Sequence, residues 1–198
     1  MTIIIAADLS DGRKIMLADG KASNSQGTVT SLRCIKIQKV SVATRNRTAL
    51  VGVAGIAVGQ QLVCTVVEKY MASPEPLYED LFFRLKEACG RLNFDWECNA
   101  VMWLPTKDGQ HELIAIDNKC GPTRIEEQRF WAQGSGRIEA NSALLGLARK
   151  RYAQQHAVPG SEDFIQQWTP DKEDVEIALR VACTTELSCG GESTFLSL

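Results

Sequence analysis

Thr2-Ile3-Ile4-Ile5-Ala6-Ala7-Asp8 is the stretch on which the reading of this chain turns. β-Branched residues lead it. Ser10-Asp11-Gly12 follows as a hairpin turn signal, and then comes Lys14-Ile15-Met16-Leu17-Ala18-Asp19. Together they predict two neighbouring strands, 2–8 and 14–19. Thr2 directly follows Met1. With Met1 removed, Thr2 carries a hydroxyl nucleophile and a free α-amine on one residue. That amine has an ordinary pKa of about 7.7–8.0 and can serve as a base near neutrality. A threonine hydroxyl paired with its own terminal amine is a recognised activated nucleophile. Read alone, Thr2 is an ordinary small second residue, so its companions along the chain decide.

Outward from the hairpin, residues 20–31 are polar and read as loop or irregular strand. Cys34-Ile35-Lys36-Ile37 reads as a third strand and 48–54 as a fourth, ending at Gly52-Val53-Ala54-Gly55. Helical spacing then predicts helices over 56–71 and 77–92, broken at Ser73-Pro74-Glu75-Pro76. The period returns to two over 98–104 and 112–116, around Lys107-Asp108-Gly109, with short strands at 124–125 and 129–132. Gly134-Ser135-Gly136 leads into a helix over 138–155, and Thr169-Pro170-Asp171 opens a last helix over 172–187. Strands and helices thus come in blocks. This predicts an α+β chain, with two sheets and helices outside them rather than an alternating parallel fold.

The 198 residues, 44% hydrophobic and 23% charged, suit one globular domain spanning 1–198. A net charge of −2 argues against a nucleic-acid binder, which needs a basic face. Residues 3–7 are too short for a signal-peptide core and run into Asp8 and Asp11, and no apolar run is long enough to span a bilayer. A cytoplasmic location with no membrane partner is expected. The seven cysteines are irregularly spaced without a CxxC pair, and His111 and His156 are the two histidines. No side-chain metal site and no cofactor are expected, and the thiols read as reduced core residues.

Five features now stand in order: the Thr2-Ile3-Ile4 start, Leu17-Ala18-Asp19-Gly20, Ile35-Lys36-Ile37, Val53-Ala54-Gly55 and Gly134-Ser135-Gly136. Each has a plain reading by itself. Lys36 could be an edge-strand charge. Asp19-Gly20 could be a strand-end turn, and Gly134-Ser135-Gly136 a helix N-cap. Gly52 and Gly55 could be packing glycines. In combination they resemble the proteasome β-subunit family of N-terminal nucleophile hydrolases. Within it the chain is most similar to the branch of HslV and the betaproteobacterial proteasome homologue.

That resemblance covers nearly the whole chain and implies a four-layer αββα sandwich of two mainly antiparallel sheets. It implies Thr2 as nucleophile, Lys36 as the catalytic lysine, Asp19 as its charge partner, and Ser135 as a hydrogen-bonding group near the terminal amine. A cation beside the hydroxyl and amine favours the anionic nucleophile, and a buried ammonium needs a partner such as Asp19. The Gly55 N–H is implied as oxyanion donor. Ala22 and Ser23 are implied to pair with substrate backbone. Gly52 and Val53 are implied to shape an apolar pocket for a hydrophobic or small residue before the scissile bond.

The implied activity is a self-compartmentalising threonine endopeptidase acting on unfolded polypeptides inside a double ring. A tetradecamer is favoured over a dodecamer, with an ATP-dependent unfoldase as partner. Two alternatives stay open: a catalytically silent ring acting as compartment or scaffold, and an amidohydrolase of small acyl amides. The chain departs from the family in two places. Ile56-Ala57-Val58-Gly59-Gln60 lacks the acid that usually follows the Ala-Gly, and residues 182–188 lack the aspartate that supports the terminal amine. HslV-like proteins hold a cation through backbone carbonyls in this last region, which would fall here around Cys183, Glu186 and Cys189.

Overall fold

In this computed structural model the described residues are 2–23, 29–31, 33–55, 57–76, 78–91, 99–117, 121–125, 128–156, 168–186 and 189–198. The opening hairpin forms as read. Strand β1 (Ile3–Asp8) pairs antiparallel with β2 (Lys14–Ala18). Two further strands flank them: β10 (Phe130–Gly134) beside β1, and β11 (Thr194–Ser197) beside β2. This gives a four-stranded sheet in the order β10-β1-β2-β11. A two-stranded ribbon, β3 (Ala22–Ser23) with β4 (Val29–Ser31), follows β2.

The second sheet has five strands in sequence order: β5 (Ile37–Val42), β6 (Arg47–Ala54), β7 (Asn99–Pro105), β8 (His111–Asp117) and β9 (Gly121–Arg124). Every pairing in it is antiparallel. Helices α1 (Ala57–Ala72) and α2 (Tyr78–Arg91) intervene between β6 and β7. Helices α3 (Arg137–His156) and α4 (Lys172–Thr185) follow β10.

Three apolar layers join these pieces into an αββα sandwich. Ile4, Ala6, Met16 and Ala18 meet Ile37, Leu50, Val101 and Trp103 between the sheets. Ile3, Ile5 and Leu17 face Ala140, Leu144, Val175 and Ala178 of α3 and α4. Val51, Val53 and Met102 face Val63, Val67, Leu81 and Leu85 of α1 and α2. β1 is therefore covered on both faces, and residues 3–7 are fully buried. That is why its sequence is a continuous apolar run rather than an alternation. The Trp103 indole N–H ties the sheets together by donating to the Ile15 carbonyl at 3.1 Å.

The third strand is misplaced in the sequence reading. Residues 34–36 lie outside the ladder, and β5 begins at Ile37. Ile35 is 60% exposed, so its apolar character is not a packing signal here. β11 has no counterpart in the sequence reading, because four residues are too few to show a period. The helices start and stop within two residues of expectation where both ends are described. Ile56, Leu77, Leu92, Cys98 and Leu187, which bounded several predicted elements, lie outside the described residues. No described helix is long and apolar enough to cross a membrane.

Candidate active site

Thr2 precedes β1 and is buried, at 6% exposure. Its two flanks follow from strand order. On one side the β10–α3 corner holds it. The Ser135 N–H donates to the Thr2 carbonyl at 2.8 Å, and the Ser135 hydroxyl donates to the same oxygen at 3.3 Å. This close approach requires glycine at 134. Gly134 has φ +106°, and a Cβ there would stand 2.0 Å from the Thr2 carbonyl oxygen. The Gly134-Ser135 signal is therefore a cradle for the start of the chain, which is more than a helix cap.

On the other side lies Asp19, 1% exposed. Its Oδ1 accepts the Ile3 N–H at 2.8 Å and the Lys36 ammonium at 2.7 Å. Its Oδ2 accepts the Gly190 N–H at 3.0 Å. Lys36, 4% exposed, also donates to the Lys21 carbonyl at 2.6 Å. A buried pair survives desolvation only when its remaining valences are met, and the Ile3, Gly190 and Lys21 backbone groups meet them. A backbone bond just beyond the ladder positions Lys36 as well. The Val53 N–H donates to the Lys36 carbonyl at 3.0 Å, fixing the residue just ahead of β5 against β6.

Thr2, Ala54, Gly55, Asn99, Ser135 and Arg137 are among the lining residues of an open cavity of about 410 Å³. Gly55 takes φ +136° at the end of β6, a conformation that disfavours other L residues. Of the residues singled out in the sequence, Thr2, Gly55 and Ser135 thus share this cavity, and Asp19 and Lys36 form a buried pair tied to Ile3, the residue after Thr2. Ala22 and Ser23 form β3, half-buried, on the β2 flank. Gly52 and Val53 do not line the cavity. A Cβ on Gly52 would stand 2.8 Å from Ile4 Cγ2 between the sheets, and Val53 packs outward under α1 and α2.

Other contributors had little or no signal in the sequence. The corner between α4 and β11 closes over Asp19: besides the Gly190 N–H, the Gly190 carbonyl accepts the Lys21 N–H at 2.8 Å. Gly190 has φ +134°, so the Gly190-Gly191 doublet was the available clue. Cys189, 4% exposed, lies with its Sγ 3.7 Å from the Ser135 hydroxyl. Burial, with the Asp19 carboxylate adding to it, pushes the Cys183 thiol up to about 11, so it is a protonated thiol at neutral pH rather than a nucleophile. At this corner the Ala182 and Glu186 carbonyls accept the Glu186 and Cys189 N–H groups, both at 2.9 Å. Among the described residues, no group of three or more His, Cys, Asp or Glu side chains gathers that could hold a metal ion.

No protein-family model and no curated protein sequence matches the chain. Solved structures do. Eukaryotic HslV from Trypanosoma brucei is similar at a TM-score of 0.64 and 16% identity, covering 99% of this chain and 98% of that one. A helical assembly of the Anbu complex from Pseudomonas aeruginosa gives 0.65 and 14%, covering 99% and 80%. BPH from Thiobacillus denitrificans in complex with epoxomicin gives 0.61 and 14%, covering 99% and 97%. BPH is a betaproteobacterial proteasome homologue, the relationship expected from the sequence. The fold is the proteasome-like N-terminal nucleophile hydrolase fold.

Proposed function

We propose that this chain is a threonine peptidase whose nucleophile is the Thr2 hydroxyl once Met1 has been removed. One observation carries this reading. Asp19 Oδ1 accepts from both the Ile3 N–H and the Lys36 ammonium, tying the residue after Thr2 to a buried cation. A plain packing role does not call for an ammonium sealed at 4% exposure at the start of the chain. The arrangement supports a simple sequence of steps. The Thr2 amine, directly or through a water, takes the hydroxyl proton. The oxygen attacks an amide carbonyl, and the Gly55 N–H donates to the oxyanion. The protonated amine returns the proton to the leaving nitrogen as the C–N bond breaks. Water then attacks the Thr2 ester, releasing the acid and restoring the hydroxyl. Ser135 and Asp19 act as positioning groups for Thr2 and Lys36. Substrate backbone on the acyl side adds to β3 at Ala22 and Ser23. All of these steps run through the chain's own groups; a cation held by carbonyls near Glu186 would steady the α4–β11 corner.

The substrates we infer are unfolded polypeptides, and the assembly a homo-oligomer built by head-to-tail contacts. Such contacts close into rings or run on as helices, depending on whether the rotation closes. We favour the closed double ring of fourteen subunits, fed by an ATP-dependent unfoldase. The test begins with the N-terminal mass of protein from its native host. Loss of Met1, a covalent epoxomicin adduct on Thr2, and peptide hydrolysis that disappears in Thr2→Ala are expected together. Stable retention of Met1 would leave Thr2 with an amide in place of its base and would overturn the reading. Turnover of small acyl amides without peptide cleavage would redirect it to an amidohydrolase.

A further inference from the structure

Thr2 heads β1, which lies between β10 and β2. On the β2 flank the chain continues through Asp19 and Lys21 into β3. On the β10 flank it continues through Ser135, which holds the Thr2 carbonyl, into α3. The first two residues of α3 are Arg137 and Ile138. Both line the open cavity that Thr2, Ala54 and Gly55 also line. Both are exposed, Ile138 at 66%. Neither stands out in the sequence.

Helix physics does not call for a cation at 137. The first turn of a helix carries the positive end of its dipole, so it favours acids and disfavours Arg or Lys. Nor does the helix supply a partner. The positions that neighbour 137 on the helix surface are 140 and 141, occupied by Ala and Asn, and Glu139 at i+2 faces away. Arg137 takes part in no ion pair among the described residues. The lining of the cavity includes no aspartate or glutamate among the described residues. The sealed Asp19–Lys36 pair is neutral as a unit. With Met1 removed, the Thr2 amine adds a second cationic group whenever it is protonated. The wall beside Thr2 is therefore cationic, solvent-accessible and not neutralised from within, with an apolar surface next to the cation.

This pairing of an exposed guanidinium with an exposed isoleucine discriminates among side chains. A glutamate can set its carboxylate on Arg137 and lay its methylenes on Ile138. A glutamine has the same shape without the charge. A leucine uses Ile138 alone, and a lysine is repelled by Arg137. We propose that Arg137 determines specificity at this site, selecting with Ile138 an acidic side chain, glutamate foremost, on the residue after the scissile bond. The proposal rests on the reading of Thr2 as nucleophile. With the acyl side added to β3 on one flank, the rest of the substrate leaves across the other, over the β10–α3 corner.

Internally quenched peptides, amidated at the C-terminus so that no terminal carboxylate competes, test it. One series varies only the residue after the scissile bond (Glu, Gln, Leu or Lys), and a second varies only the residue before it. The readout is the ratio of kcat/KM values within one preparation, which cancels any difference in folded fraction. At low ionic strength wild type should cleave the peptide with Glu after the bond about threefold better than its Gln counterpart, the size expected of a solvent-accessible ion pair. Added salt should shrink that ratio. Arg137→Lys should keep the preference, Arg137→Gln should bring the ratio to about one, and Arg137→Glu should turn it toward the Lys peptide. A wild-type ratio near one, a ratio that Arg137→Gln does not move, or a charge preference confined to the residue before the bond overturns the selection while leaving the peptidase. No hydrolysis of any peptide by protein that has lost Met1 overturns the peptidase reading itself and the selection with it.

Discussion

The β1–β2 hairpin carries an aspartate–lysine pair at each end, made of the same groups in opposite settings. At the turn end Asp8 and Lys14 face each other across the ladder at 3.1 Å, with side chains 13% and 18% exposed. Arg129 shares Asp8, also at 3.1 Å. At the open end Asp19 and Lys36 lie 2.7 Å apart, with side chains 1% and 5% exposed. The first pair is partly solvated and has a spare cation. The second is sealed, and its remaining valences are met by backbone groups. Well-packed apolar residues often stabilise as well as or better than a sealed pair. Stability alone therefore does not account for the sealed pair, whereas the role proposed for it in supporting Thr2 does.

Each end also turns on a glycine with positive φ, and this is where the two ends should differ most. A Cβ on Gly12, φ +83°, would meet nothing within 4 Å, whereas a Cβ on Gly134, φ +106°, would stand 2.0 Å from the Thr2 carbonyl oxygen. Gly12→Ala should cost about 1–2 kcal/mol, the ordinary strain of a left-handed L residue. Gly134→Ala should cost more than about 4 kcal/mol, since backbone must move. Urea unfolding of both variants checks this. Similar midpoints would mean that the Thr2 end can relax, and the cradle would lose its meaning.

The pairs themselves come next. Lys36→Met leaves a buried carboxylate without its cation and should cost about 3–5 kcal/mol. Adding Asp19→Asn should recover part of that loss, because the charge is then gone. Peptide hydrolysis should remain absent in both variants. A single variant as stable as wild type would show that water reaches Asp19. Recovered stability together with recovered hydrolysis would show that the pair is packing alone.

The contrast also separates what the sequence could tell from what it could not. Asp19 and Lys36 were paired in advance only through the family resemblance, since alone the one reads as a strand-end turn and the other as an edge-strand charge. Thr2 and Gly134-Ser135 were legible through their order along the chain. The strand limits around Lys36 were not, because Ile35 is apolar and yet exposed, and pattern cannot tell surface isoleucine from core. Gly190 was hidden for another reason. It acts through its N–H and carbonyl, 171 residues from Asp19, and backbone groups leave no trace in residue type beyond a permitted glycine. Arg137 was hidden because a cation's place in a cavity wall is defined only by what surrounds it. Gly52 and Val53 had the right neighbours in sequence, but the alternation of β6 turns one between the sheets and the other under the helices.

At the turn end the expected effects are small. Lys14→Met removes one of two cations from Asp8 and leaves Arg129 in place. It should cost about 0.2–1 kcal/mol, with part of that coming from the ammonium lying 5.3 Å from the Trp103 ring. A Tm within a few degrees of wild type is expected. A loss as large as that of Lys36→Met would erase the distinction between the two pairs.

The smallest effect is a pH dependence at this same end. The His111 Nε2 lies 2.9 Å from the Thr48 carbonyl oxygen, and since a carbonyl only accepts, Nε2 carries the proton and donates it. Burial holds the imidazole below its ordinary value, and the Lys14 charge adds to this. The unfolded chain therefore binds a proton more readily than the folded one as pH falls through about 6.5. Stability should be flat with respect to this group above that pH, and should decline below it until the folded-state value is passed. His111→Gln should reduce that acid slope in pH-dependent denaturation. Lys14→Met should reduce it less, because burial, the larger cause, remains. An equal reduction in both variants would make charge rather than burial the controlling influence, and would place the turn end closer in kind to the sealed pair at the other end.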